Sequence, residues 1–382
     1  MTGTAGPESG AIRVREGLRR GDLAVLAALT AGTARPLTSQ ELALLVLVDP
    51  DPRSSIVLVA EDSGDTEDTA DTEGLTGDPA PVGFAHLAAQ DGAAYLVSGA
   101  VHRAHRRRGI GTRLLDAALA HARRWGAETL VVSGRPRGYA APGVDETADP
   151  GAAAFLRARG AHGAGSALAM ERDLADLADL AVPVEGTGAL EHAGEGRRGS
   201  QADRALPPDL RIAPCAPEEV PEMLTAVRLH LSEDWAQLLG AHVAHRAEEE
   251  ARGAPSTEGP AGPAGTILLA RDAEGPAGEI LGVAAWDVVG ADPERFGPIG
   301  VLPAARGRGV GGALLDAALE RMARAGARRA WFQWTSASGP AHRMYLSRGF
   351  RPLATTTPFE LPVRPAAVPI PAAPIPKERT RP

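Results

Sequence analysis

The stretch Val101-His-Arg-Ala-His-Arg-Arg-Arg-Gly-Ile-Gly-Thr-Arg-Leu-Leu-Asp-Ala-Ala-Leu119 decides the fold, because the chain carries a close copy of it. The copy reads Val301-Leu-Pro-Ala-Ala-Arg-Gly-Arg-Gly-Val-Gly-Gly-Ala-Leu-Leu-Asp-Ala-Ala-Leu319. At an offset of 200 positions, 15 of the 27 residues from 101 to 127 are identical to their partners at 301–327. Such a repeat predicts that the chain is a duplication of one domain.

Each copy predicts a strand, a tight turn and an amphipathic helix. Apolar residues recur at steps of three and four after Ile110 and after Val310, and Gly126 and Gly326 stand where a helix would end. The glycines of the turn leave the first N–H groups of the helix accessible, at the positive end of its dipole. With arginines beside it, the turn predicts a site for a phosphate or pyrophosphate.

Two known phosphate-binding loops do not fit this turn. Neither copy contains the Gly-Lys-Ser/Thr of a P-loop. Leu114 and Leu314 stand where a dinucleotide fingerprint requires its third glycine.

The two turns resemble the acetyl-CoA signature of the GCN5-related N-acetyltransferases (GNAT family), Arg/Gln-x-x-Gly-x-Gly/Ala. The matching segments are Arg106-Arg-Arg-Gly109-Ile-Gly111 and Arg306-Gly-Arg-Gly309-Val-Gly311. The tandem layout is similar to that of mycothiol synthase-like members. The resemblance implies acetyl-CoA as acyl donor, no metal, and transfer of the acetyl group to an amine.

The order of segments predicts an α/β protein of two tandem domains, each with a mixed, mostly antiparallel central sheet flanked by helices. We expect the first domain at 11–175 and the second at 209–362. Expected to be disordered are the N-terminus (1–10), an acidic insertion (62–81) and a Pro-rich tail (363–382), and residues 176–208 are expected to be a linker.

The resemblance implies two sets of residues that would bind the donor. In the second half they are Ile299, Gly300, Val301, Arg306, Gly307, Arg308, Gly309, Val310, Gly311 and Gly312. In the first half they are Val101, Arg106, Arg107, Arg108, Gly109, Ile110, Gly111 and Thr112.

The halves differ at the residue that would act as general acid. The family places a Tyr four residues before a Gly-Phe or Gly-Ala step, and the second half has Tyr345 before Gly349-Phe350. The first half has Leu156 before Gly160-Ala161. A phenol can protonate the departing CoA thiolate, whereas Leu cannot. We therefore expect catalysis in the second half and a degenerate first half.

The base that deprotonates the amine is less defined by the sequence. Asp287 and Glu294 flank the central strands of the second half, and Glu233 and Asp234 are further candidates. Trp235 is a candidate for the wall of the acceptor site, whereas Trp331 and Trp334 are expected in the core.

Composition narrows the partners. Eight acidic and no basic residues lie at 61–80, and without them the net charge of −8 becomes zero, so we expect no nucleic-acid binding. The single Cys215, the absence of a long apolar stretch and the polar first residues predict a soluble cytoplasmic protein with no membrane span. We expect a monomer or a homodimer.

The expected activity is therefore acetyl-CoA-dependent N-acetylation of a primary amine of a small molecule by direct attack. The alternatives are a non-catalytic acyl-CoA-binding or regulatory protein, and acetylation of a protein amine. The sequence leaves the acceptor open.

Overall fold

The computed structural model describes residues 12–47, 52–62, 79–133, 142–178, 210–252, 265–272, 278–289 and 292–363. The expected disordered N-terminus, the 179–208 part of the linker and the tail after residue 363 lie outside these ranges. So does most of the acidic insertion, residues 63–78.

The first half alternates strands with helices in the predicted order. Its strands are β1 (Ile12–Glu16), β2 (Ser55–Asp62), β3 (Pro81–Gln90), β4 (Ala93–Val101), β5 (Thr129–Val132), β6 (His162–Gly163) and β7 (Ala167–Asp173). Its helices are α1 (Asp22–Leu29), α2 (Ser39–Leu47), α3 (Ile110–Arg124), α4 (Pro150–Arg157) and the short α5 (Ala175–Ala178).

The second half repeats this order. Its strands are β8 (Leu210–Pro214), β9 (Ile267–Asp272), β10 (Ile280–Trp286), β11 (Phe296–Val301), β12 (Arg329–Phe332), β13 (Arg351–Thr356) and β14 (Phe359–Pro362). Its helices are α6 (Val220–His230), α7 (Glu233–Ala251), α8 (Val310–Arg324) and α9 (Pro340–Ser347). Mixed, mostly antiparallel sheets with helices against them confirm the predicted fold class.

The two halves exchange strands. One sheet has the order β1-β2-β3-β4-β5-β14-β6, so the last strand of the second half lies inside the sheet of the first. In return, β7 lies between β12 and β13. The predicted boundaries divide the chain by sequence, but the hydrogen-bonded sheets cross them. The alternation of apolar residues in a strand identifies its buried face, but it does not identify the strand with which it pairs.

The repeated helices α3 and α8 pack on their sheets through glycine. A Cβ on Gly282 would lie 2.7 Å from the carbonyl oxygen of Gly300 and 2.9 Å from Leu314. Gly83 plays the same part in the first half, where a Cβ would meet Leu114 at 3.2 Å. The apolar faces of the two helices lie in two separate cores, one in each half.

Candidate functional site

A cavity of about 1550 Å³ opens along β4 of the first half. β4 and β5 pair in parallel from Ala94 to Leu96, and the N–H of Ser133 donates to the carbonyl of Leu96 at 2.7 Å. Among the described residues the parallel ladder ends here, since β5 ends at Val132, and residues 97–101 of β4 line the cavity. This edge of β4 can therefore pair with an extended ligand as with an added strand.

The turn before α3 lies at the same cavity. Gly109 caps the helix with φ of 79°, and Arg107 also has a positive φ of 66°. Gly111 and Thr112 from the first turn of α3 line the cavity, so its N-terminal amides lie beside the opening. The dipole and the free amides favour an anion there, as the sequence predicted.

The first arginine of the motif is held by the strand in both halves. Arg106 donates its Nε to the carbonyl of Val101 at 3.1 Å, and Arg306 donates to Val301 at 3.2 Å. Arg106 also donates to the carbonyl of Gly32 at 3.2 Å. The guanidinium thus fixes the turn to the end of the strand. Arg106 and Arg107 line the cavity.

The third arginine of the motif pairs with an aspartate at the end of a neighbouring strand. Arg108 lies 2.8 Å from Asp62, and Arg308 lies 3.6 Å from Asp272. These pairs neutralise part of the positive charge of each turn.

In the second half, four aromatic rings cluster at the corresponding place. Phe332 lies 4.4 Å from Tyr345, 5.4 Å from Phe350 and 6.3 Å from Phe296, measured between ring centroids. At the matching positions the first half has the smaller Leu96, Val132, Leu156 and Ala161. Three of these, Leu96, Val132 and Leu156, line the cavity. The difference in side-chain volume explains why the cleft is open in the first half.

One further difference separates the clefts. Leu231 and Trp235 pack directly on β11, since a Cβ on Gly300 would approach each of them to 2.8 Å.

The far end of the cavity is built by both halves. The loop between α1 and α2 contributes Arg35 and the start of α2 contributes Glu41, while β12 of the second half contributes Trp331. Glu41 is buried and lies 3.0 Å from the buried Arg295, so an ion pair joins the halves beneath this end.

Comparison with known families identifies both halves. Residues 46–141 match the acetyltransferase (GNAT) family, and residues 263–352 match the acetyltransferase (GNAT) domain. The chain is a tandem GNAT acetyltransferase. The two matched ranges contain the two copies of the Arg/Gly turn, which confirms the predicted family and the predicted class of enzyme.

Solved structures share the fold of this tandem GNAT protein. A tandem GNAT protein from the clavulanic acid biosynthesis pathway has a TM-score of 0.56 and 20% identity, with 93% of this chain and 100% of that chain covered. A GCN5-related N-acetyltransferase from Sphaerobacter thermophilus has a TM-score of 0.54 and 16% identity, covering 93% and 96%.

A third similar structure is the GCN5-related glucosamine N-acetyltransferase region of a fungal multi-domain GH3 beta-N-acetylglucosaminidase. Its TM-score is 0.62 at 17% identity, covering 93% of this chain but only 38% of that longer chain. No curated protein matches the sequence. The likenesses establish the fold, and the acceptor of the tandem GNAT protein has to be argued from its own residues.

Tyr345, the expected general acid, lies inside the aromatic cluster and is 6% exposed. Burial raises the pKa of its phenol above the ordinary value, which keeps the group protonated. Met344, beside it in sequence, lies against Gly311, so α9 packs near the turn at the start of α8.

Of the two expected bases, Glu294 has its carboxylate bound by neighbouring groups, whereas the role of Asp287 stays a prediction. Glu294 lies 2.8 Å from Nε of Arg329 and accepts the N–H of Arg328 at 3.2 Å. Asp287 follows β10 with a positive φ of 56°, and its N–H donates to the carbonyl of Arg295. Within the described part of the chain, Tyr345, Glu294 and Asp287 lie outside the lining of the cavity.

The sequence interpretation missed the composite end of the cavity. Trp331 is buried, as expected of a core residue, but it also lines the cavity beside Arg35. Trp235, expected at an acceptor wall, contacts Gly300 of β11 instead. The distribution of Phe and Tyr was one available signal. The chain has few of these residues, and four of them lie in the second half at positions where the first half has aliphatic residues.

Two absences are established for the residues that the structure describes. Among them, no group of three or more His, Cys, Asp or Glu side chains could hold a metal ion. No helix in the same ranges is long and apolar enough to cross a membrane. A cytoplasmic location, the lack of nucleic-acid binding, and a monomeric or homodimeric state stay predictions.

Proposed function

We propose that this protein transfers the acetyl group of acetyl-CoA to a primary amine of a small molecule, and that the donor binds in the first half. The observation that carries the proposal is one cavity, whose lining includes the motif turn, the edge of β4 beyond Leu96, and Arg35 with Trp331. A donor that consists of phosphates, an extended arm and a thioester fits a cavity with these three parts.

The backbone supplies most of the donor contacts in this proposal. The pyrophosphate would take the amides at the start of α3, near Gly109 and Gly111. The pantetheine arm would pair with β4 beyond Leu96, where the strand has lost its neighbour. The N–H groups of Gly99 and Val101, on the side of β4 that faces away from β3, are donors that could hold the acetyl oxygen as negative charge develops on it.

The chemistry is a direct transfer. The neutral amine nitrogen attacks the thioester carbonyl carbon, a C–N bond forms, and the C–S bond breaks to release CoA as a thiolate. The amine loses a proton and the thiolate gains one. Because Leu156 cannot supply that proton, a hydroxyl or water must do so, and Ser98 and Ser133 are hydroxyls at the cavity.

The second half offers the competing location, with Tyr345 as general acid and donor contacts from Ile299 to Gly312. Its support is the protonated phenol beside a second copy of the motif. Against it stand the aromatic cluster and the packing of Trp235 on Gly300. The two locations make opposite predictions for single substitutions.

Isothermal titration with acetyl-CoA separates them. Val132→Phe introduces into the first cleft the ring that the second cleft already has, and we expect it to weaken donor binding by about 100-fold or more. Val25→Phe is the matched control, because Val25 is exposed and away from the cavity. Tyr345→Phe should leave donor affinity and turnover unchanged. Lost turnover in Tyr345→Phe, with intact binding in Val132→Phe, would move catalysis to the second half.

Release of free CoA thiol tests the reaction itself. We expect release to depend on added small amines, which distinguishes an enzyme from a non-catalytic acyl-CoA-binding protein. Release that requires a protein amine, and no small amine, would favour the third alternative.

A further inference from the structure

Three guanidinium groups surround the indole of Trp331. The central carbon of Arg35 lies 4.4 Å from the ring centroid, that of Arg295 lies 5.4 Å away, and that of Arg329 lies 5.9 Å away. Arg35 comes from the first half and the other two from the second. Cation–π contact with the indole stabilises all three guanidinium groups. It does not provide a hydrogen-bond acceptor for their N–H groups, which lie in the plane of each guanidinium.

Two of the three arginines have a close carboxylate. Arg295 lies 3.0 Å from Glu41, and Arg329 lies 2.8 Å from Glu294. For Arg35 the nearest carboxylate oxygen among the described residues is also on Glu41, at 3.5 Å, which is at the limit of a hydrogen bond. Glu41 is already engaged, because its other oxygen accepts the N–H of Thr38 at 2.9 Å.

Arg35 is also held in a poorly solvated place. Burial lowers the pKa of its guanidinium to about 10, and the nearby charges of Glu41 and Asp292 only partly oppose this. The side chain is 25% exposed and lines the cavity. The two oxygens of Asp292 already accept the Trp331 indole N–H and the N–H of Glu294. The counterion of Arg35, Glu41, is 3.5 Å away and is shared with Arg295, so an anion from the cavity would further stabilise this desolvated cation.

We propose that Arg35, stacked on Trp331, binds a carboxylate of the acceptor, so that the acceptor is an amine that also carries a carboxylate, as an amino acid does. This inference rests on the proposed function, because it gives the acceptor class for the same cavity. The planar guanidinium presents a pair of donors that matches the two oxygens of a carboxylate. The ring of Trp331 fixes the plane of that fork, and the second half thereby sets the acceptor preference of the first.

The acceptor and the donor would share one cavity. Arg35 and residues 97–101 of β4 both line it. A molecule held by its carboxylate at Arg35 therefore extends its amine into the same space that the proposed thioester occupies. Binding by the remote carboxylate would orient the amine for attack.

The test uses the full chain, acetyl-CoA and matched sets of acceptors. Each set contains one of the twenty common amino acids, its carboxamide and its decarboxylated amine, and CoA thiol release gives kcat and KM. We expect the best amino acid to exceed its carboxamide by about 100-fold in kcat/KM. Arg35→Met should abolish that preference mainly through KM, and Arg35→Lys should retain part of it. Arg20→Met, an exposed arginine before α1, is the control.

Donor binding is measured separately, so that the two proposals fail in different ways. If Arg35→Met leaves the acetyl-CoA Kd within twofold of the parent while the carboxylate preference disappears, the inference holds. It is overturned by equal use of amino acids and their amines, by turnover of no carboxylate-bearing member, or by a large loss of donor affinity in Arg35→Met. If the parent protein itself does not bind acetyl-CoA, the proposed function falls instead.

Discussion

The imidazole of His242 lies in α7 with its Nε2 3.0 Å from the hydroxyl of Thr266. Burial lowers its pKa from 6.5 to about 4, with smaller contributions from Arg246 and His245. Because the folded pKa is below the unfolded one, the neutral form stabilises the fold above pH 6.5, and that stability is lost as the pH falls towards 4.

The shift sets the expected size of this loss. We expect the parent to lose about 3 kcal/mol more than His242→Gln between pH 7 and pH 4. Urea unfolding of both proteins across this range measures the difference, in which the acid sensitivity of all other groups cancels. Parallel curves for the two proteins would show that His242 is not buried in its neutral form.

Two glycines should respond to alanine in opposite directions. Gly282→Ala places a methyl group against the backbone of Gly300 and should lower stability by about 1–3 kcal/mol. Gly240 lies inside α7, where a new Cβ would meet Leu224 at 3.5 Å, an ordinary contact. Gly240→Ala should therefore raise stability by about 0.5–1 kcal/mol through helix propensity. Thermal melting compares the pair, and a loss at both positions would contradict the packing described here.

At the residue scale, the sequence predicted the turn well and the acceptor end poorly. Glycines at fixed spacing before an apolar helix define backbone geometry locally, so the ends of α3 and α8 were predictable. Arg35 and Trp331 are separated by most of the chain, and each looks ordinary alone. Only their contact gives either of them a role, and no local pattern encodes it.

The start of α2 connects a local signal to a distant one. The hydroxyl of Thr38 accepts the N–H of Glu41 at 3.0 Å, and Glu41 accepts the N–H of Thr38 at 2.9 Å, which is a reciprocal capping box. The same carboxylate then pairs with Arg295 in the second half. One side chain thus begins a helix and joins the halves.

Glu41→Gln separates the two roles of this helix start. Glutamine can keep the cap, but it removes the negative charge of Glu41 from its buried ion pair with Arg295, so we expect a loss of about 3–5 kcal/mol. Glu41→Ala should lose about 1 kcal/mol more, because the cap is removed as well. Glu218→Gln, at an exposed glutamate, serves as control. Chemical denaturation measures all three, and a Gln variant as stable as the parent would contradict the role of the ion pair.

The strand elements were predictable in place but not in partner. The order of segments along each half placed strands near β7 and β14, and both are present. Their exchange could not be read, because the two sheets derive from one repeated template and either position accepts a similar strand. The difference between the two clefts was likewise not predictable from the sequence, because it depends on the volumes of side chains from separate elements.

At the scale of the whole molecule, the exchange makes each half depend on the other. Residues 1–208 alone would lack β14 between β5 and β6, and residues 209–382 alone would lack β7 between β12 and β13. We expect each half alone to unfold without cooperativity or to aggregate through its unpaired strand edges. Co-expression of the halves should restore a cooperative thermal transition.

A fusion gives this prediction its matched control. Appending residues 356–363 by a flexible linker to residues 1–178 supplies the missing strand, and the fusion should be more stable than the unfused half. The same fusion with Phe359→Asp and Leu361→Asp should not be, because both side chains are buried. Two halves that melt cooperatively by themselves would show that the exchanged strands add little.

The place of β14 in the chain also determines when the protein can fold during translation. Val132 pairs with Phe359, so more than half of the chain separates the two neighbours. At the usual speed of a ribosome, the nascent chain waits on the order of ten seconds or more between the emergence of the two strands. During that interval the edge of β5 has no permanent partner. The cavity beside it can become complete only after synthesis has passed β14, so the nascent enzyme acquires its site last.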